Sequence, residues 1–233
     1  MLKTTFTLIS KKLITHDVYE LIYSCPDMIR ESPKPGQYVM FQLVPGLSRA
    51  YSIASYTADT FTLVMKRISD GRWSPLLCDA EVGSTLAGMI PLGHFTLRDT
   101  PRSKCFIGTG TGFAPLYCQM LASSRSLEKP QKVLFDFWVR SFADAFYEDE
   151  ISEIGKQFET FEYVQYFSRE LALESRVTNH ESRNGYVTDW ITEESVKSYE
   201  EYYICGSPAM VKSAREKLEA LGIEKTDILW EQF

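Results

Sequence analysis

The sequence predicts a two-domain chain: an N-terminal antiparallel β-barrel, then a C-terminal α/β domain built on a parallel sheet. Three observations carry this. Through the first hundred residues, β-branched and aromatic runs alternate with turns rich in proline and glycine. A charged, aperiodic stretch follows, Arg98-Asp99-Thr100-Pro101-Arg102-Ser103-Lys104. Beyond it, short apolar strands alternate with helix-patterned segments, as βαβ units do. The expected domains are 1–100 and 101–233.

The first domain takes its strands from Thr4–Ile14, Asp17–Ser24, Tyr38–Val44, Ala50–Ser55 and Phe61–Arg67. Pro33-Lys34-Pro35-Gly36, Pro45-Gly46 and Pro91-Leu92-Gly93 supply the turns. One short helix fits Ser74–Ala80, and six or so short strands suit a small barrel. In the second domain, Cys105–Ile107, Val133–Val139, Phe161–Phe167, Tyr202–Cys205 and Ile228–Phe233 read as strands. Phe113–Ser123, Tyr147–Phe158, Glu193–Tyr199 and Pro208–Leu221 read as helices, and Leu171–Gly185 as a loop.

Composition bounds the function. The chain has 233 residues, 44% of them hydrophobic, and a net charge of −6. No basic tract is present, which argues against nucleic acid as a partner. The cysteines Cys25, Cys78, Cys105, Cys118 and Cys205 are scattered, with no zinc or iron–sulfur spacing, so no metal site is expected. Their odd number suggests a reducing compartment. With no signal-peptide core at Met1–Ser10 and no apolar run of spanning length, a cytoplasmic protein without a membrane span is expected.

Four motifs could carry chemistry. Gly108-Thr109-Gly110-Thr111-Gly112, followed by Phe113-Ala114-Pro115, joins a strand to a helix. Glycines allow close approach to phosphate, and the helix start offers free N–H donors. It is not GxGxxG, so the Rossmann fingerprint is absent, but three glycines and two threonines exceed what a turn needs. In Arg49-Ala50-Tyr51-Ser52, Arg49 and Tyr51 share one strand face. A cation beside an aromatic can grip a phosphorylated ring system, although such a pair read alone is an ordinary surface feature. Gly71-Arg72-Trp73-Ser74-Pro75, after Met65-Lys66-Arg67, reads alone as a helix start with Ser74 at N-cap and Pro75 at N1. A second pyrophosphate site at the helix start is the functional reading, but taken alone the cap is favoured. Cys205-Gly206-Ser207-Pro208-Ala209-Met210 is again strand, turn and helix, and Cys205 is either a small core residue or ligand-facing.

In this order the motifs resemble the ferredoxin–NADP reductase superfamily, and most of all its bacterial-type ferredoxin/flavodoxin–NADP reductases and NAD(P)H-flavin reductases. Arg49–Ser52 is similar to the family's Arg-x-Tyr-Ser flavin motif, and Gly71–Pro75 to its FAD pyrophosphate turn. Gly108–Pro115 and Cys205–Met210 are similar to its nicotinamide segments. The resemblance implies an FAD-binding barrel and an NAD(P)-binding α/β domain. Arg49 would bind an FAD phosphate, Tyr51 would stack on the isoalloxazine, and Ser52 would sit near its reactive nitrogen. Gly71, Arg72, Trp73 and Ser74 would hold the pyrophosphate, with Ala50, Met65, Lys66 and Thr111 also at the FAD. Gly110, Thr111, Gly112, Arg140, Cys205, Gly206 and Met210 would meet the dinucleotide, and the terminal Phe233 would cover the flavin's other face. Ser52, Cys205 and Phe233 are the implied residues around the hydride transfer.

For the choice of dinucleotide, Ser168-Arg169 after the strand Phe161–Phe167 matches the pair that meets the 2′-phosphate in NADP-dependent members, with Arg176 as a second cation. This favours NADP over NAD, although the acidic Glu170 lies just beyond. Trp138 departs from relatives that place a small residue before Arg140. The implied activity is an FAD-dependent oxidoreductase of the ferredoxin/flavodoxin–NADP reductase type, a monomer handing electrons to a ferredoxin or flavodoxin-type protein. An NAD(P)H:flavin reductase and an electron-transfer component of a larger redox complex are the alternatives.

Overall fold

The computed structural model describes residues 1–44, 46–170 and 180–233. Its contacts divide the chain into two units, Met1–Leu97 with Tyr117–Gln119, and Arg98–Leu116 with Met120–Phe233.

In the first unit, β1 (Leu2–Leu13), β2 (Val18–Ser24), β3 (Tyr38–Val44), β4 (Leu47–Tyr56) and β5 (Thr60–Lys66) precede a short helix α1 (Ser74–Cys78) and β6 (Thr85–Leu92). The strands close an antiparallel barrel in the order β1-β2-β5-β4-β3-β6. Period-two alternation sends one residue in two inward. Phe6, Tyr23, Phe41 and Phe61 thereby meet in the core, with neighbouring centroids 5.1–5.5 Å apart. Strand β6 departs from the sequence expectation, because Gly88 and Pro91 carry turn chemistry. Its rungs with β1 run from Leu2↔Ile90 to Thr7↔Thr85, so Pro91 lies past the last of them and its missing N–H costs no bond there.

The second unit contains β7 (Lys104–Thr109), α2 (Phe113–Ser123), β8 (Lys132–Val139), α3 (Glu148–Gly155), β9 (Thr160–Phe167), β10 (Glu181–Asn184), α4 (Glu193–Val196), β11 (Glu201–Gly206), α5 (Pro208–Ala220) and β12 (Ile228–Gln232). The sheet is parallel throughout, in the order β10-β9-β8-β7-β11-β12. Every residue of β7 and β11 is buried, which is why they read as continuous apolar runs. The four polar residues of β10 fall in the stretch expected as loop. They form an edge strand that pairs with β9. No helix among the described residues is long and apolar enough to cross a membrane.

The polar stretch at the start of this unit is bound firmly into it. Lys104 and Glu201 are opposite rungs of β7 and β11, both fully buried, with Nζ 2.6 Å from the carboxylate. Thr100 and Tyr203 hydroxyls complete the network, and burial holds the Lys104 ammonium below its usual range against the pull of Glu201. Arg98 and Arg102 both reach Asp227, Arg102 at 2.8 Å.

Asp136, in the middle of β8, is 7% exposed and accepts a hydrogen bond from Tyr166 at 3.0 Å. Burial pushes its carboxyl up to about 7, outweighing that bond and the nearby Arg183. The unfolded carboxyl ionises near 3.8. The folded state therefore holds the extra proton between these values, and stability falls as pH rises through that window. Asp136→Asn is expected to flatten the profile and raise the melting temperature at pH 8 relative to wild type. An unchanged slope between pH 4 and pH 7 would contradict the assignment.

Candidate functional site

On β4, positions 49, 51 and 53 share a face that starts in the core at Ile53 and passes through the half-buried Tyr51 to the exposed Arg49. Tyr51 packs on Phe41 with centroids 5.9 Å apart. Burial, then the Cys78 charge, pushes its phenol up to about 12, so it remains a neutral donor. Ser52 stands opposite Tyr38 of β3.

Arg49 is drawn to the turn before α1. Its guanidinium carbon lies 5.4 Å from the Trp73 ring centroid, and that of Arg72 lies 5.0 Å from the same centroid. Neither guanidinium pairs with a carboxylate among the described residues. Two like charges thus gather on one indole, an arrangement complementary to an anion. From the sequence, Arg72 and Trp73 have only backbone roles. Their adjacency was the available signal, but the approach of Arg49 across the barrel surface was not local.

The turn differs from expectation in two details. Trp73, not Ser74, occupies the N-cap of α1, and the Ser74 hydroxyl instead accepts the Ile68 N–H at 2.9 Å. The Gly71 N–H donates to the Ile68 carbonyl at 2.9 Å. Two further expected contacts are committed elsewhere: the Met65 side chain is 4% exposed in the barrel core, and Lys66 pairs with Asp17 at 2.5 Å. Ala50 is exposed between Arg49 and Tyr51.

In the second unit, β7 leads into a 3-10 turn, Gly110–Gly112, before α2. Phe113 already uses its N–H on the carbonyls of this turn, so the unsatisfied donors of the helix start move forward into Gly110, Thr111 and Gly112. Gly112 is set against β11: a Cβ there would stand 2.3 Å from the Cys205 carbonyl oxygen and 2.9 Å from the Gly206 Cα. The two glycine-bearing turns at the carboxyl ends of β7 and β11 are thus in backbone contact. Thr109 Oγ1 accepts the Ser207 N–H at 3.4 Å, and Ser207 caps α5 by accepting from the Met210 N–H. Cys205 is fully buried, and burial holds its thiol well above the usual range. Met210 is 7% exposed, while the terminal Phe233 is 59% exposed, its N–H directed at the Gly206 carbonyl.

At the ends of β8 and β9, Arg140 and Arg169 are exposed, and the Arg169 N–H donates to the Arg140 carbonyl at 2.8 Å. The Ser168 N–H donates to Val139. Glu170 turns away: its carboxylate accepts the Phe142 N–H at 2.7 Å. That tie links positions 28 apart and left no local sequence signal. Trp138 packs against Tyr186, centroids 5.2 Å apart, and its indole N–H has no partner among the described residues. Arg176 lies outside the described residues.

Known proteins share this architecture. Residues 5–97 match the oxidoreductase FAD-binding domain and residues 106–216 the oxidoreductase NAD-binding domain. The reductase component of propane 2-monooxygenase from Mycolicibacterium smegmatis is 33% identical over 209 residues, 86% of this chain and 59% of that protein. A component of the Na(+)-translocating NADH-quinone reductase of Neisseria meningitidis is 27% identical over 201 residues, 79% of this chain and 49% of that protein. The cytochrome P450 reductase of Amycolatopsis superposes with a TM-score of 0.85 at 26% identity, covering 100% of this chain and 70% of the other. The chain is an oxidoreductase with an FAD-binding and an NAD-binding domain. It belongs to the ferredoxin–NADP reductase-like superfamily. It spans between about half and three fifths of the length of these curated relatives.

Proposed function

We propose that this chain takes a hydride from NADPH onto FAD and delivers the electrons singly to a separate ferredoxin- or flavodoxin-type protein. The observation that carries the flavin part is the pair of guanidiniums flanking Trp73 without a counter-charge, which suits the pyrophosphate of FAD. When bound, FAD supplies the conversion between two-electron and one-electron transfer. The protein's contribution is grip and orientation. Arg49 and Arg72 hold phosphate, Tyr51 supports the ring, and Gly110–Gly112 with Cys205, Gly206 and Met210 position the dinucleotide. Ser52 and Phe233 keep the roles that the resemblance gives them. With its thiol protonated, Cys205 contributes shape and polarity rather than a nucleophile.

The preference for NADPH rests on Arg140 and Arg169, exposed and joined through their backbones, with Ser168 beside them. The tie between Glu170 and Phe142 takes away the carboxylate that would hold a free ribose hydroxyl. A second reading, NADH as donor, draws on the relative named as part of an NADH-quinone reductase. That relative, with the monooxygenase reductase component, also admits a place inside a larger redox complex.

The test is spectroscopic. Protein supplied with FAD should show flavin bands that bleach without oxygen, faster with NADPH than with NADH. A protein that holds no flavin overturns the reading. If FAD leaves as readily as FMN, a reductase of free flavin replaces it. Arg169→Ala is expected to reduce the NADPH-over-NADH ratio of kcat/KM by roughly 10- to 100-fold, the worth of a charged hydrogen bond. An unaltered ratio removes Arg169 from the 2′-phosphate.

A further inference from the structure

The turn that carries Trp73 is braced on both sides. Before it, the Ile68 N–H donates to the Ser74 hydroxyl and the Gly71 N–H to the Ile68 carbonyl, each at 2.9 Å. The loop is tight, since a Cβ on Gly71 would stand 2.9 Å from the Ile68 carbonyl oxygen. After it, Pro75 opens the first turn of α1, and the Asp79 N–H closes on the Pro75 carbonyl at 2.8 Å. The indole does not serve the barrel core. Leu77 and Cys78 of α1 belong to that core, whereas Trp73 is not among the described side chains packed on it.

Its partners are the two guanidiniums, at 5.4 Å for Arg49 and 5.0 Å for Arg72. Little else holds these side chains. Arg49 donates to the carbonyl of its neighbour Ser48, and the Arg72 side chain makes no hydrogen bond among the described residues. Long arginine side chains have many rotamers, and like charges repel, so two such groups left to themselves spread apart. A ring face attracts each of them, by about 2- to 5-fold in equilibrium terms at an exposed site. A braced indole that meets both therefore gathers them before a ligand binds, which lowers the ordering cost on binding.

A guanidinium fork is matched by the oxygens of one phosphate, so two forks at one ring match two linked phosphates better than one. We propose that Trp73 is a positioning residue: its indole gathers Arg49 and Arg72 into one site, and that gathering makes the site prefer a diphosphate to a monophosphate, FAD to FMN. The inference rests on the flavin reading and adds to it the side chain that shapes the phosphate site.

FAD and FMN are titrated against the flavin-free protein as wild type, Trp73→Leu and Trp73→Phe. Both substitutions keep the backbone N–H, so any contact the main chain makes with the ligand is common to all three. Trp73→Leu should weaken FAD roughly 5- to 10-fold and FMN by no more than about twofold, while Trp73→Phe, which keeps a ring face, should stay within about threefold of wild type for FAD. Equal losses for the two flavins, or a Phe variant as weak as the Leu variant, would overturn the proposal. The Leu substitution is then repeated in a protein that already carries Arg49→Ala and Arg72→Ala. With both guanidiniums gone a positioning residue has nothing to position, and its penalty for FAD should shrink below about twofold. A penalty that persists in full there means that the indole acts on the flavin directly, and the proposal fails. Wild-type protein that binds neither flavin removes the flavin reading and this inference together. FAD held as tightly by Trp73→Leu as by wild type removes only the inference.

Discussion

Arg49→Ala is expected to weaken FAD binding by roughly 10- to 100-fold, the largest effect of any single side chain on the barrel. Arg49 is exposed on β4, makes one short-range bond to the Ser48 carbonyl at 2.9 Å, and supports no core residue. The fold has little to lose, so the melting temperature of the flavin-free protein should stay within about 1–2 °C of wild type, as for most surface substitutions. The affinity has much to lose. In the proposed role the guanidinium meets a pyrophosphate with two negative charges, and its contact with Trp73 orients it beforehand, adding about 0.5–1 kcal/mol of preorganisation. Arg49→Lys should recover part of the affinity, since an ammonium keeps the charge but loses the fork. The affinity for FMN, which lacks the adenylate half, should fall less. Equilibrium titration with FAD and FMN at two salt concentrations measures all of this. If Arg49→Ala binds FAD like wild type, the anion receptor at Trp73 is not the FAD phosphate site.

The legible part of this protein is the part whose signal is local. Arg49, Tyr51 and Ile53 lie on one face because alternation puts them there, and that alternation can be read from the letters. The turns after β7 and β11 were legible because glycine, threonine and proline mark strand-to-helix junctions in the chain itself. Strands β6 and β10 were not, since Gly88 and Pro91 in one and four polar residues in the other contradict strand propensity until neighbours pair with them. The same holds for the side-chain ties. Lys104 and Glu201 are neighbours only because β7 and β11 are adjacent, and Asp136 meets Tyr166 only across β8 and β9. The stretch 98–104, which reads as a linker, owes its charges to Asp227, Glu200 and Glu201, more than 95 positions away. At the candidate site, residue types were visible in the sequence, while the commitments that remove Gly71, Lys66 and Glu170 from free service were not.

Gly112→Ala should be the most damaging substitution in the C-terminal unit. The added Cβ would stand 2.3 Å from the Cys205 oxygen, 2.6 Å from its carbonyl carbon and 2.9 Å from the Gly206 Cα. All three are backbone atoms of β11, a central strand hydrogen-bonded on both sides, so no side chain can rotate away to make room. Overpacking that only a backbone shift can relieve costs about 3 kcal/mol. For a chain of this size that lowers the melting temperature by roughly 6–12 °C. The shift would part the two turns proposed to meet the dinucleotide, whose affinity should then fall at least tenfold, about 1.4 kcal/mol. Gly110→Ala is the control. Its backbone is left-handed, φ +54°, but nothing lies within 4 Å of the added Cβ. The cost there is conformational, roughly 1–2 kcal/mol, and smaller than at Gly112. If the carboxyl ends of β7 and β11 are held together by direct backbone contact, Gly112→Ala melts well below Gly110→Ala and loses more dinucleotide affinity. If the two variants melt together, the contact between the turns is not what fixes the site.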